Sequence, residues 1–335
     1  MFTAWQEFCR GKRSKADVQV FRFDLENNIF RLNEELKNCT WEPSSYSGFY
    51  VRDPKLRHIH KAVVKDRIFN QALFRILYQI FDPVFIYDSY SCRVGKGTHR
   101  GVLRLESFIR KASKNYTRPT FALKCDVKKF FDSISHEILL GIIKNKICDG
   151  KTFDIISLIV KSFQTVEGKG LPLGNVTSQL FANVYLNELD QFVKHVLKVK
   201  YYVRYCDDFI ILENDKEKLF DHVRTIESFL GKNLDLKLHP NKISIRKISQ
   251  GIDFLGYVVL PHYKVLRTKT KRRVLRKVDL LRRNIEEGII TKEFFDSLVQ
   301  SYLGILKHCR GQQVSEQIKL KTGLSCDFGI ISTYN

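Results

Sequence analysis

Two short runs rich in β-formers, Tyr201 to Arg204 and Phe209 to Leu212, flank Tyr205-Cys206-Asp207-Asp208. Branched and aromatic side chains favour a pleated strand, and so short a gap joins two strands only as a hairpin. Adjacent carboxylates at a hairpin tip repel each other and weaken the turn unless a cation holds them. The strand residues around them should be buried, so the acids project from a core element. Upstream, Thr120 to Val127 alternates Phe121, Leu123, Cys125 and Val127 with Ala122, Lys124 and Asp126, which predicts a third strand ending in a carboxylate. Asp126, Asp207 and Asp208 are thus the candidate chemical centre. Alternation sends Asp207 and Asp208 to opposite faces, so Asp207 is expected to dominate any metal coordination, with Asp208 contributing less directly.

The remaining pattern is mainly helical. Val20 to Leu36 is amphipathic, with a helix fitting its second half; Asp66 to Ile80 and Gly101 to Ala112 carry apolar residues at spacings of three and four. Ser135 is placed to cap a helix from His136 to Lys146. After a loop containing Gly168, Gly170, Pro172 and Gly174, a helix is expected to open at Thr177 or Ser178, with Phe181, Tyr185, Leu189 and Phe192 along one stripe. A helix near Lys216 to Leu230, a strand over Ile252 to Leu260 and a basic helix over Lys271 to Glu286 complete the order. This mixture predicts an α+β fold around a mostly antiparallel sheet.

Composition narrows the partner. The 335 residues carry 57 Lys+Arg against 36 Asp+Glu, a formal charge of +21. Self-repulsion of that size is usually tolerated where a polyanion is bound. The charge is clustered: Lys264 to Arg283 holds ten Lys/Arg against the single acid Asp279, and Arg52, Lys55, Arg57, Lys61, Lys65 and Arg67 form a second stretch. No apolar run approaches the roughly 18 residues that span a bilayer. Met1 to Lys12 lacks the apolar core of a signal peptide. The eight cysteines show no C-x-x-C or Cys/His cluster, so reduced thiols and a cytoplasmic location without membrane contact are expected.

Tyr205-Cys206-Asp207-Asp208 resembles the Y-x-D-D signature of reverse transcriptases, and Asp126-Val127-Lys128-Lys129-Phe130-Phe131 resembles their preceding metal-binding strand. Gly174-Asn175-Val176-Thr177-Ser178-Gln179 lies between them, where the family has its G-x-x-x-S-P or G-x-x-x-S-Q loop. Lys55-Leu56-Arg57 and Asp66-Arg67-Ile68 are similar to the fingers motifs, and Asp253 to Tyr257 to the segment leading into the primer grip. Within the family, Leu173 to Gln179 followed by Ala182-Asn183-Val184-Tyr185-Leu186 resembles the enzymes of diversity-generating retroelements, a group II intron-like lineage. The resemblance implies a right-hand polymerase: an N-terminal extension over 1–45, fingers over 46–120, and a palm with an antiparallel sheet over 121–262 that includes a fingers segment at about 136–172. A helical thumb and tail follow over 263–335.

It also implies function. Such an enzyme copies a template-repeat RNA into cDNA, with errors opposite adenines, to diversify a target gene. It would be encoded by a bacterium or phage and partnered by a small basic pentameric helical protein. Its ligands would be template RNA, the RNA–DNA hybrid and dNTPs. Two Mg²⁺ ions, with Mn²⁺ as the substitute ion, would be held by Asp126, the Val127 carbonyl, Asp207 and Asp208. The resemblance assigns the nucleotide to Lys55, Arg57, Phe131, Leu173 and Gly174, with Phe131 excluding a 2′-hydroxyl. It assigns template and hybrid to Arg93, Lys96, Ser178, Gln179, Lys271, Arg272, Arg273 and Arg276. Leu173 stands where processive members place Gln; an aliphatic side chain makes no directional hydrogen bond, which points to low fidelity. Either Phe130 or Phe131 should face the site. The competing readings are an intron, retron or defence-associated reverse transcriptase, and a catalytically silent palm serving as an RNA-binding scaffold.

Overall fold

The computed structural model describes residues 1–52 and 55–323. The elements run α1 Phe2–Phe8, α2 Ala16–Phe23, α3 Leu25–Lys37, β1 Ser47–Arg52, β2 Leu56–Lys61, α4 Val64–Phe81 and α5 Thr98–Ala112. Then come β3 Phe121–Asp126, α6 Phe130–Ser133, α7 His136–Lys144, α8 Gly150–Lys161, α9 Val176–Gln191, β4 Tyr201–Tyr205, β5 Asp208–Glu213 and α10 Lys216–Asn233. The chain continues with β6 Ser244–Lys247, β7 Ile252–Phe254, β8 Tyr257–Leu260, β9 Tyr263–Leu266, α11 Thr268–Glu286, α12 Lys292–Leu306 and α13 Gln312–Thr322. The expected α+β class is what forms, with a four-stranded sheet of order β4-β5-β3-β6, an antiparallel β1-β2 pair and an antiparallel β7-β8-β9 sheet. No described helix is long and apolar enough to cross a membrane.

Two compact units emerge, and neither is one continuous stretch. The first takes Met1–Gly97, Leu123–Ile211 and Lys216–Ser244. Its centre is α9, buried on nearly every side and packed on α4, α7 and α10. Beneath it lie β4 and β5, with Tyr202, Val203, Phe209, Ile210 and Ile211 at most 1% exposed. The N-terminal helices join the same unit: Trp5, Phe8, Val18 and Ile29 share a cluster with Val64 and Ile68 of α4. The second unit takes Thr98–Ala122, Leu212–Asp215 and the described residues from Ile245 onward. In it α5 contacts β8, and α11, α12 and α13 pack together around Val274, Val278, Val299, Leu303 and Ile318.

Three local expectations need correction. Val20 to Leu36 is two helices, not one late helix: Asp24, at φ −122° and ψ 51°, interrupts it and accepts a hydrogen bond from Asn27 at 2.8 Å. Phe23 and Phe30 of that stretch remain 94% and 57% exposed. The helix expected from Thr177 or Ser178 begins earlier, at Val176, with Asn175 as the extended residue before it. Ile252 to Leu260 is a hairpin and not one strand, because Leu255 and Gly256 both take positive φ and reverse the chain between β7 and β8. Ser135 does cap α7, accepting from the Ile138 amide.

Candidate active site

Strand pairing builds the site. Asp126 is the last residue of β3, Cys206 and Asp207 form the turn between β4 and β5, and Asp208 opens β5. Cys206 has φ 54°, the left-handed conformation that tight reversal requires. The Val127 amide donates to the Asp207 carbonyl at 3.1 Å, which sets the end of β3 against the turn. On the other side Val127 bridges Leu238, with the His239 amide donating to the Asp126 carbonyl at 2.8 Å and Lys128 to the Lys237 carbonyl at 2.9 Å. Those two bonds use the Asp126 and Lys237 carbonyls and not that of Val127.

The turn stands on a buried ion pair that residue spacing does not announce. Arg204 and Asp190 of α9 are both fully buried and joined twice, Nε to Oδ1 at 2.7 Å and Nη2 to Oδ2 at 2.5 Å. Tyr202 donates its hydroxyl to the same carboxylate at 2.7 Å. Arg204 Nη1 reaches the Cys206 carbonyl at 3.0 Å, so the clamp extends to the residue before Asp207. A charge so enclosed is tolerated only because every side of it is bonded. The one signal in the sequence is Arg204 itself, a cation in an otherwise apolar strand.

Electrostatics at the carboxylates favours a cation. Burial, and then the negative charge of Asp126, raise the Asp207 carboxyl above the usual range. Burial pushes Asp208 up to about 6, even though Lys124 opposes the rise. Lys124 pairs with Asp208 at 3.2 Å, and Asp208 Oδ1 is buried without a hydrogen bond. Lys242 pairs with Asp126 at 2.5 Å. Neither lysine stands out in the sequence; both sit as internal counter-ions on the acids. Among the described residues no group of three or more His, Cys, Asp or Glu is placed to hold a metal alone. The carboxylates of Asp126, Asp207 and Asp208 are hard oxygen donors, the type that suits Mg²⁺, an ion that keeps water and substrate phosphates among its ligands.

The surrounding candidates fall into distinct environments. Phe130 is buried and Phe131 half-buried, with ring centres 5.5 Å apart. Lys55 and Arg57 are exposed at the start of β2. Gly174, at φ +133°, lies under that strand: a Cβ there would sit 2.7 Å from the His60 carbonyl oxygen, and the His60 amide donates to the Leu173 carbonyl at 2.8 Å. Only glycine fits this close approach. Ser178 is buried in the first turn of α9 and Gln179 is exposed.

Arg93 is engaged within its own loop. Its side chain is 7% exposed, paired with Asp82 and bonded to the carbonyls of Asp82, Ile86 and Ser89. Lys96 lies 3.3 Å from the Tyr87 ring centre and donates to the Tyr87 carbonyl. Arg67 pairs with Asp17 of α2. In the second unit, Lys271, Arg272, Arg273 and Arg276 all lie on α11, with Arg272 and Arg276 exposed.

Comparison with known proteins identifies the family. Residues 52–259, more than half the chain, match the family described as reverse transcriptase (RNA-dependent DNA polymerase). Protein YkfC of Escherichia coli is 23% identical over 276 residues, covering 70% of this chain and 71% of YkfC. The group II intron-encoded protein LtrA of Lactococcus lactis is 24% identical over 304 residues, and the chain spans only 49% of its length. Telomerase from Candida albicans, solved with a fragment of telomeric RNA, shares the fold at a TM-score of 0.52 and 12% identity, over 82% of this chain and 55% of that one. Because the matched segment runs from the end of β1 into β8 and contains all three aspartates, the chain belongs to the reverse transcriptase family, the RNA-directed DNA polymerases.

Proposed function

We propose that the chain extends a primer on an RNA template at Asp126 and Asp207, with Asp208 in support. The observation that carries this reading is the bond from Val127 to Asp207, which sets a strand-end carboxylate beside a turn carboxylate in a fixed, largely buried frame. Two Mg²⁺ ions bound there, with Mn²⁺ as substitute, would activate the primer hydroxyl and neutralise the leaving pyrophosphate. Asp126, Asp207 and the Val127 carbonyl would hold them, while Lys124 keeps Asp208 oriented. Lys55 and Arg57 supply cations to the triphosphate, and exposed cations suit that task because the charge they meet arrives with the substrate. Phe131 would crowd a ribose 2′-hydroxyl, and its half-buried ring supports that reading.

For the nucleic acid, Lys96, Gln179 and the α11 cations Lys271, Arg272, Arg273 and Arg276 are the proposed contacts. Each phosphate neutralised would add about 0.9 to the salt slope on a B-form duplex. The buried positions of Arg93 and Ser178 suit them to shaping their loop and the first turn of α9 respectively. A cavity of about 500 Å³ beside Gly174, lined by Lys12, Lys15, Lys61 and Arg67 against Asp17, adds positive potential on this side of the first unit.

The finer reading is a diversity-generating enzyme: adenine-mutagenic copying of a template-repeat RNA, working with a small basic pentameric protein. Leu173 and the Ser178-Gln179 ending support it. The intron-type reading is favoured by LtrA and by an Arabidopsis thaliana nuclear intron maturase, 24% identical over 248 residues. Primer extension with Mg²⁺ on an adenine-rich RNA tests both levels. Product from wild type and none from Asp207→Ala supports the polymerase; no product from wild type, or equal product from both, overturns it. Errors concentrated opposite adenines, and reduced in Leu173→Gln, support the diversity-generating subclass. An even error spectrum supports the intron type.

A further inference from the structure

Leu173 and Gly174 are gripped from two directions, and the two grips join. From the fingers hairpin, His60 holds them through its backbone, by the amide bond to Leu173 and the close carbonyl over Gly174. From the other side the next residue, Asn175, is 2% exposed and donates Nδ2 to the Tyr46 hydroxyl at 3.0 Å. That hydroxyl lies 3.2 Å from Ser162 Oγ, and Ser162 donates to the Ile159 carbonyl at 2.8 Å. With the tyrosine donating to the serine, donors run in one direction from Asn175 to the end of α8, an arrangement in which each bond polarises the next. The side chains close the loop: the Tyr46 ring meets Phe163 edge-on at 5.8 Å, and Phe163 packs on the His60 ring at 4.3 Å.

Asn175 departs from what its position favours. Asparagine before a helix normally caps it with the side-chain oxygen, a bond that stabilises by about 1 kcal/mol. Here no side-chain cap is made on α9, and Oδ1 is buried without a partner while the amide points to Tyr46. His60 is likewise placed for packing: burial, and then the neighbouring His58, hold its pKa below the ordinary histidine value, which favours the neutral ring against Phe163.

We propose that Tyr46, His60, Phe163 and Asn175 form a positioning circuit that fixes the Leu173–Gly174 loop against the fingers hairpin and so sets how tightly the incoming nucleotide is held. The inference rests on the polymerase reading above and on Leu173 and Gly174 contacting the nucleotide. None of the four touches the reacting atoms; each acts through the loop. Loosening the circuit therefore weakens nucleotide binding and pairing discrimination more than it slows the chemical step.

The test is steady-state primer extension by the full chain with Tyr46→Phe, which removes the bridging hydroxyl and keeps the ring, and with His60→Leu, which keeps volume and backbone. The expected result is a rise in dNTP KM of about threefold to tenfold, with kcat within about twofold and primer-template KM unchanged. The double variant should show less than the product of the single effects, because both cut one circuit. Ser162→Ala breaks the same link from its other end and serves if Tyr46→Phe lowers the Tm. Unchanged dNTP KM in a normally folded Tyr46→Phe or Ser162→Ala overturns the circuit, as does an equal loss in kcat and primer-template affinity. A wild-type chain that makes no product overturns the polymerase reading and this inference with it; a wild type that extends primers isolates the circuit.

Discussion

The first unit contains two hairpins of nearly equal size and opposite character. In β4–β5 every interior residue is buried; in β1–β2 all of β1 and half of β2 are exposed. The β4–β5 hairpin is held by core packing and by the Arg204–Asp190 clamp. The β1–β2 hairpin is held near one end, by Lys61 paired with Asp17 at 2.8 Å and by the contacts of His60. Ions bound by carboxylates need fixed donors, whereas a triphosphate that arrives and leaves needs cations on an element free to meet it. Under the proposed function the same local motif would serve two tasks, and burial is what separates the two hairpins.

The largest expected effect is on chemistry at the buried hairpin. Asp126→Ala and Asp207→Ala should each lower primer extension by at least about a thousandfold while circular dichroism stays native, since an ion site worth several kcal/mol is lost. Residual activity within tenfold of wild type would show that these carboxylates do not carry the reaction. Next is stability. Asp190→Ala strands Arg204 and should cost about 3–5 kcal/mol in urea unfolding, whereas Arg57→Ala on the exposed hairpin should stay within about 0.5 kcal/mol. Equal costs would erase the contrast.

Gly174→Ala lies between the two hairpins in kind. It forces positive φ and a close approach to His60, a strain of about 1–3 kcal/mol, and should raise dNTP KM more than it lowers kcat. The smallest effect is electrostatic. Burial raises the Asp17 carboxyl, but Lys61 and Arg67 outweigh it and leave its pKa below the ordinary value. A lowered folded pKa gives stability that is present above the unfolded value and lost as pH falls through the folded one. Acid unfolding of Asp17→Asn should therefore show a shallower loss at low pH, by less than about 1 kcal/mol given that Asp17 is 34% exposed. An unchanged acid limb would mean that the hairpin does not depend on this pair.

Much of the site is legible in the residue pattern alone. Alternation locates β3, and the two β-rich runs locate β4 and β5, because a strand in a core must repeat its apolar side chains in step with the pleat. What the pattern misses is local. The break at Asp24 and the reversal at Leu255-Gly256 depend on single backbone conformations, which periodicity does not register. The resemblance assigns Arg93 to the template; only the fold shows its guanidinium enclosed by three carbonyls and Asp82.

The sequence by itself determined the α+β class, the order of the motifs and the strongly basic charge, since each is a property of residue type and spacing along the chain. Tertiary structure decided which groups face one another: Lys124 on Asp208, Lys242 on Asp126, Arg204 beneath the turn, Tyr46 on Asn175. Those partners lie between 2 and 129 positions apart, and all but the nearest join segments distant along the chain. Their energies depend on burial and on angstrom-scale distance, and neither is written in linear order.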